Sequence, residues 1–367
     1  MTWLALPALA ATAYWLLVLI AALRWRKSSP ISQERPPITI LKPVHGRDPH
    51  FYAAIRSHAL QDYPRYEILF GIADPDDPAA DDIRRLIAEF PAGDIRLIVT
   101  STIFPNRKVG VLAGLAAQAR YPLLLINDSD ISVPPNYLRQ TTAVLQRPSV
   151  GLVTCLYRAQ SGAAPGQWEA LGVATEFVPS VLVARMLGSV EFALGSTMLL
   201  RAADLQRIGG FPAIGDYLAD DYQLGRRIHD LGLRVEFASP IVETHLGGQT
   251  WGAVWRHQLR WSRSIRVSRP GGYFGYLVTH ATFWSLVAAL GGAWPVALAV
   301  LAVRLAAGLL VCARVLEDRD SIRRAWRIPF RDLCGFALWL SGLCGNTVEW
   351  RGARIKIRSD GKIVSDL

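Results

Sequence analysis

Two long apolar stretches bracket this chain and limit what it can fold into. Leu4 to Leu23 runs without a charged residue, about the length that crosses a bilayer as a helix. Leu277 to Val315 is apolar for longer than one comfortable span and is broken by Gly291, Gly292 and Pro295. It reads as a helical hairpin over 277–315, interrupted by His280 and Arg304. A charge at that depth is expected to face other helices or to snorkel. Between the two stretches, residues 33–268 contain no comparable run and read as the water-facing domain. Of the 367 residues, 51% are hydrophobic and 19% charged, too apolar for a soluble domain alone.

The first stretch is followed by its charges, Arg24, Arg26 and Lys27, whereas a cleaved signal carries them in front. The expectation is a retained anchor over 4–23, with the N-terminus outside and the following domain in the cytoplasm. The net charge of +10 gathers beside apolar segments, as in Arg323-Arg324-Ala325-Trp326-Arg327. That pattern favours the lipid bilayer as a partner and no nucleic acid. Cys155, Cys312, Cys334 and Cys344 lack zinc-site or redox spacing and read as free thiols. Residues 316–332 are charged and amphipathic, Leu333 to Thr347 is apolar but short, and the tail carries Arg351, Arg354, Lys356 and Arg358. By the positive-inside rule, 316–367 reads as an interfacial or re-entrant segment with a basic tail.

The middle of the chain alternates. Ile38 to Leu41, Glu67 to Ala73, Ile95 to Val99 and Leu123 to Ile126 read as strands, and 48–60, 78–90 and 107–119 as helices. Such alternation implies βαβ units and a parallel sheet, whose ligands bind beyond the carboxyl ends of the strands. Two acidic clusters fall at such ends: Asp74-Pro75-Asp76-Asp77 and Asp128-Ser129-Asp130. Two carboxylates one residue apart repel, and a divalent cation relieves that repulsion. Hard oxygen donors suit Mg²⁺ or Mn²⁺, completed by substrate phosphates and water.

Asp220 and Asp221 precede a helical pattern. One of them can serve simply as an N-cap or dipole partner. His257, Arg260 and Trp261 lie on an amphipathic helix starting near Thr250. The planar fork of Arg260 suits a diphosphate, while Trp261 suits either ring stacking or core packing. Arg263, Arg266 and Arg269 lead into Pro270-Gly271-Gly272-Tyr273-Phe274, a mixture fitted to a membrane interface.

Together these pieces resemble the ceramide glucosyltransferase family and its bacterial relatives, including hopanoid-associated glycosyltransferases. The resemblance is carried over about residues 36–270 by Leu41-Lys42-Pro43, Gly46, Asp48-Pro49, Asp62-Tyr63-Pro64, Asp76-Asp77-Pro78-Ala79, Gly151-Leu152-Val153 and an x-x-x-Arg260-Trp261 motif before the hairpin. It implies an α/β fold of the GT-A (Rossmann-like) type with N-terminal and C-terminal transmembrane helices, in a bacterial inner membrane. The implied reaction is an inverting transfer from a UDP-sugar, UDP-glucose by default, to a hydroxyl of a membrane lipid.

By the same resemblance, Asp221 is the catalytic base and Asp77, Lys108, Asp128, Arg260 and Trp261 bind the donor. Asp128 and Asp130 hold the metal, with Asp74, Asp220 and His257 supporting. His257 stands where the family signature has Gln or Arg, and Val109-Gly110-Val111-Leu112 replaces the usual amides after Lys108. Ceramide and a hopanoid polyol remain open as acceptors, with UDP-N-acetylglucosamine as the alternative donor. Other readings are a processive polysaccharide synthase and a non-catalytic nucleotide-sugar-binding membrane protein.

Overall fold

A computed structural model describes residues 3–26, 34–48, 50–101, 104–350 and 352–364. Lys27, Pro49 and Arg351 fall outside them. The chain groups into two units, one made of 26–157 and 190–245, the other of 1–25, 158–189 and 246–367. Residues 158–189 and 246–268, inside the stretch expected as one catalytic domain, thus group with the terminal helices.

The first unit is built on an eight-stranded sheet. Its strands are β1 (Ile38–Pro43), β2 (Tyr66–Ile72), β3 (Ile95–Val99), β4 (Leu123–Ile126), β5 (Ile131–Ser132), β6 (Val150–Gln160), β7 (Met198–Arg201) and β8 (Arg234–His245). They lie in the order β3-β2-β1-β4-β7-β6-β8-β5. β1 is parallel to β2 and β4, and β2 to β3; β7 turns antiparallel to β4 and β6.

β1 and β4 are buried along their whole length, which explains their near-continuous apolar runs, since a parallel strand is covered on both faces. Successive side chains feed opposite faces. Ile38, Ile40 and Leu125 join one core cluster, while Leu41, Leu124 and Ile126 join another. Helices Phe51–Ala59, Ala79–Glu89 and Arg107–Ala116 supply the crossovers, at the places the sequence pattern indicates. The parallel order and crossovers bring the loops after β1, β2 and β4 to one edge of the sheet.

The second unit is mostly helical. Leu6–Arg24 and Trp294–Leu316 are long and apolar enough to cross a membrane, by length and composition. Ala281–Leu290 is apolar but shorter. The chain breaks after it at Gly292, whose φ of +79° suits a residue without a Cβ, and Pro295 opens the next helix. Arg304 does not snorkel. It is fully buried and pairs through Nε and Nη2 with both carboxylate oxygens of Asp332 at 2.6–3.1 Å, with its guanidinium over the Trp15 ring.

Asp332, which sequence reading set at the end of a surface segment, instead belongs to the helix Ile328–Gly342 and is 2% exposed. Arg263 and Arg266, expected at a lipid surface, donate to the carbonyls of Leu343, Cys344, Gly345 and Thr347 beyond the end of that helix. A three-stranded sheet of Thr347–Trp350, Ala353–Ile357 and Ile363–Val364 follows.

Candidate functional site

The loop after β4 carries Asp128 out of the core, and two other elements meet it. Helix Arg107–Ala116 starts at Asn106, whose side chain accepts from Val109 N. Asn106 also donates through its side chain to the Tyr217 carbonyl and through its backbone to the Gly215 carbonyl. That ties the helix start to the loop leading into helix Asp220–Asp230. Lys108, one residue into the first helix, then lies between the two acidic groups. Its Nζ is 2.8 Å from Asp128 Oδ1 and 3.1 Å from Asp220 Oδ2. Burial alone would lower its pKa, but Asp128, Asp220 and Asp221 outweigh it and hold the ammonium charged well above its usual range.

Asp221 is fixed by two backbone donors. Its Oδ1 accepts from Tyr222 N at 2.7 Å and its Oδ2 from Gly195 N at 3.1 Å. Burial, with the neighbouring charge of Asp220, raises its pKa against the opposing pull of Lys108. A Cβ on Gly195 would stand 3.0 Å from Asp128 Oδ2, 3.5 Å from Asp221 Oδ2 and 3.7 Å from Lys108 Nζ. The absence of a side chain at 195 is therefore what lets backbone approach this cluster.

Asp130 accepts from the Thr244 hydroxyl on β8. Its carboxyl is pushed up to about 6 by burial and then by the charges of Asp128 and Asp48. Asp48 reaches the same loop by accepting from Ser129 Oγ at 2.9 Å. Beneath the loop, the fully buried Lys42 donates to the Asp128 carbonyl at 3.0 Å. Burial pushes Lys42 down to about 7 despite Asp130 and Asp128, and pushes its neighbour His58 well below the usual histidine range.

The structure thus brings Lys108, Asp128, Asp220 and Asp221 together, with Asp130 close by. Asp77 plays a different part. It is 7% exposed, and its two oxygens accept from Gly46 N at 2.8 Å and Ala79 N at 2.9 Å, so it fastens the loop after β1 to the start of helix Ala79–Glu89. Asp74 closes a local turn by accepting from Asp76 N. Among the described residues, no group of three or more His, Cys, Asp or Glu side chains is arranged to hold a metal ion.

The remaining candidates belong to the other unit. His257, Arg260 and Trp261 lie on helix Trp251–Ser268, whose N-cap Thr250 accepts from Ala253 N. His257 Nδ1 is 2.6 Å from Glu169 Oε1, and its ring centroid is 4.6 Å from that of Trp261. Trp261 also packs beside Phe177, at 6.3 Å between centroids. Arg260 is half-buried on the same helix.

Sequence reasoning missed Gly195, Glu169 and Thr244, and gave Lys42 no role. Only Lys42 carried a signal, a charge inside an apolar strand.

The structure is similar to that of a mannosyltransferase from Pyrobaculum calidifontis in complex with GDP-Man and Mn²⁺, with a TM-score of 0.56, 21% identity, and coverage of 93% of this chain and 97% of that one. The likeness shows the fold, an α/β fold of the GT-A type. Ceramide glucosyltransferase 3 of Caenorhabditis elegans is 28% identical over 210 residues, which cover 56% of this chain and 45% of that relative. Ceramide glucosyltransferase 1 of the same organism is 26% identical over 207 residues, 56% of this chain and 44% of the relative. The chain spans under half the length of these two curated relatives. The profile of glycosyl transferase family 21 matches residues 2–363, nearly the whole chain. On that match, the chain belongs to glycosyl transferase family 21.

Proposed function

We propose that this protein is an inverting glycosyltransferase. It moves a sugar from a UDP-sugar, UDP-glucose by default, to a hydroxyl of a membrane lipid of the ceramide type. The observation that carries the reading is the cluster in which Lys108, Asp128, Asp220 and Asp221 converge beyond β4. Membership of glycosyl transferase family 21 and relatives named ceramide glucosyltransferase support it.

Asp221 is the general base. It takes the proton from the acceptor hydroxyl as that oxygen bonds to the anomeric carbon. The bond from the anomeric carbon to the diphosphate breaks on the opposite face, and its electron pair leaves on the nucleoside diphosphate. One displacement therefore inverts the centre. The fixed hydrogen bonds from Gly195 N and Tyr222 N hold the carboxylate in one orientation. Lys108 supplies positive charge beside the departing diphosphate. By the family resemblance, Arg260 offers a donor fork, Trp261 a surface for a donor and His257 support. Asp77 shapes the nucleotide pocket through the loop after β1, with Asp74 in the adjoining turn.

Asp128 and Asp130 fit a divalent cation, Mg²⁺ or Mn²⁺. The donors are hard oxygens, and burial, then like charge from Asp128 and Asp48, raises the Asp130 carboxyl; a cation would relieve the like-charge part of that cost. When bound, the ion supplies charge that offsets the developing diphosphate negative charge. The mannosyltransferase of the same fold was solved with Mn²⁺.

Residues 4–23 form the anchor, 33–268 the cytoplasmic catalytic region, 277–315 the membrane hairpin and 316–367 the membrane-associated tail of a bacterial inner-membrane protein. The test uses membranes containing the protein, Mg²⁺ or Mn²⁺, labelled UDP-sugars, and ceramide or hopanoid-polyol acceptors. A labelled lipid identified by mass, absent from Asp221→Asn membranes, is expected. Label in polymer, or no label that depends on Asp221, contradicts the reading.

A further inference from the structure

Lysine is among the residues least often fully buried, yet Lys42 is 0% exposed near the carboxyl end of a buried strand. A Leu or Met there would match the apolar setting of Ile38, Ile40 and Leu41 at lower desolvation cost. The lysine head has two contacts. Its Nζ donates to the Asp128 carbonyl at 3.0 Å and lies 3.4 Å from His58 Nε2. His58, also 0% exposed, has Nδ1 3.1 Å from the Ala54 carbonyl. A carbonyl only accepts, so Nδ1 carries the proton and the Nε2 lone pair faces Lys42. The chain Ala54–His58–Lys42–Asp128 thus runs from a helix through the central strand to the backbone that bears Asp128 and, two residues on, Asp130.

Other contacts hold this loop as well: Ile131 N donates to the Asp128 carbonyl at 3.4 Å, Lys108 pairs with the Asp128 carboxylate and Thr244 donates to Asp130. Asn127 donates to the Ser196 carbonyl and to Tyr137 Oη, and Ser129 donates to Asp48. The shorter of the two bonds to the Asp128 carbonyl, at 3.0 Å, is the one from Lys42 below.

We propose that Lys42, oriented by His58, is a positioning residue that sets the backbone of the Asp128–Asp130 turn and so aims both carboxylates at the donor diphosphate and its metal. The proposal rests on the reading of those aspartates as the donor site. Its physical content is that a loop carrying two repelling carboxylates needs a rigid support to keep them within the fraction of an ångström that a binding site requires.

The experiment compares purified full-length protein with Lys42→Met, which keeps length and removes the donor, and His58→Phe, which keeps a ring and removes the Nε2 acceptor. Amide hydrogen exchange is followed in peptides covering 127–132, and UDP affinity is measured with and without Mn²⁺. Both variants are expected to exchange at least tenfold faster at 127–132, with β1 and β2 unchanged. They are also expected to lose at least tenfold of the UDP affinity that Mn²⁺ adds. Exchange at 127–132 equal to wild type in a folded variant overturns the proposal. So does faster exchange with the Mn²⁺-dependent affinity intact. If wild type itself gains no UDP affinity from Mn²⁺, the donor-site reading of Asp128 and Asp130 fails, and this proposal with it. The exchange data then still report whether Lys42 holds the turn. If Lys42→Met fails to fold, His58→Phe carries the same comparison.

Discussion

Gly195 gives its backbone N–H to Asp221 Oδ2 at 3.1 Å while leaving no side chain between Asp221 and Asp128. One glycine therefore does two jobs. It orients the proposed base and keeps a side chain out of the space beside Asp128 and Asp221.

Gly195→Ala tests this directly. The new Cβ would lie 3.0 Å from Asp128 Oδ2, close enough that this carboxylate must shift by a few tenths of an ångström, and 3.5 Å from Asp221 Oδ2, in ordinary contact. Gly195 does not have positive φ, so alanine suits the backbone and the fold should survive. Transfer is expected to fall by roughly tenfold or more, since small misplacements of reacting groups cost large factors in rate. The melting temperature should move by only a few degrees. Normal transfer would mean that the space beside Asp221 is not used.

The titration of Asp221 gives a signed pH dependence. Burial and Asp220 raise its pKa to about 6, and a general base acts only when ionised. Turnover should therefore fall as pH drops through about 6. The stability sign is opposite. A carboxyl with a raised folded pKa destabilises the fold above that value, and the cost is relieved as pH falls towards the unfolded value. Acid should thus remove activity while this group's contribution to stability improves. Asp220→Asn removes the like charge and should move the acidic limb to lower pH. A flat rate between pH 5 and 7 would contradict the assignment.

Arg304 and Asp332 form a buried pair among apolar helices. Removing one partner strands the other, at a cost of about 3–5 kcal/mol in protein interiors. Arg304→Met and Asp332→Leu should each lower thermal stability strongly, and the double variant should recover much of the loss. Additive losses in the double variant would show that the two do not act as a pair. Melting in detergent or nanodiscs, followed by circular dichroism, reads the outcome.

What the sequence made legible follows from physics that acts locally. Ile38 to Leu41 and Leu123 to Ile126 show as strands because a strand buried on both faces must be apolar along its length. Asp128 stands out because a carboxylate directly after such a run has few reasons to be there. The distance from Lys108 to Asp128 was not legible, because it depends on Asn106 anchoring one helix to a loop more than 100 residues later. Gly195 was hidden for the same reason, since its value lies in what it omits next to residues far away in the chain. Lys42 runs against the ordinary rule that lysine is exposed, and Asp332 looked like part of a charged surface segment until its partner Arg304 was seen.

The central claim is that Asp221 is the base and not part of the donor-binding apparatus. Kinetics of Asp221→Asn measured alongside UDP affinity, with Mn²⁺ or Mg²⁺ present, test it most directly. Asparagine keeps the side-chain shape and one of the two acceptors that face Gly195 N and Tyr222 N, but cannot take a proton at neutral pH. The account predicts that lipid glycosylation falls by at least a thousandfold, to roughly the scale lost with a general base and its orientation, while UDP affinity stays within about threefold of wild type. Near-normal turnover, or a loss of turnover matched by an equal loss of UDP affinity, would contradict it.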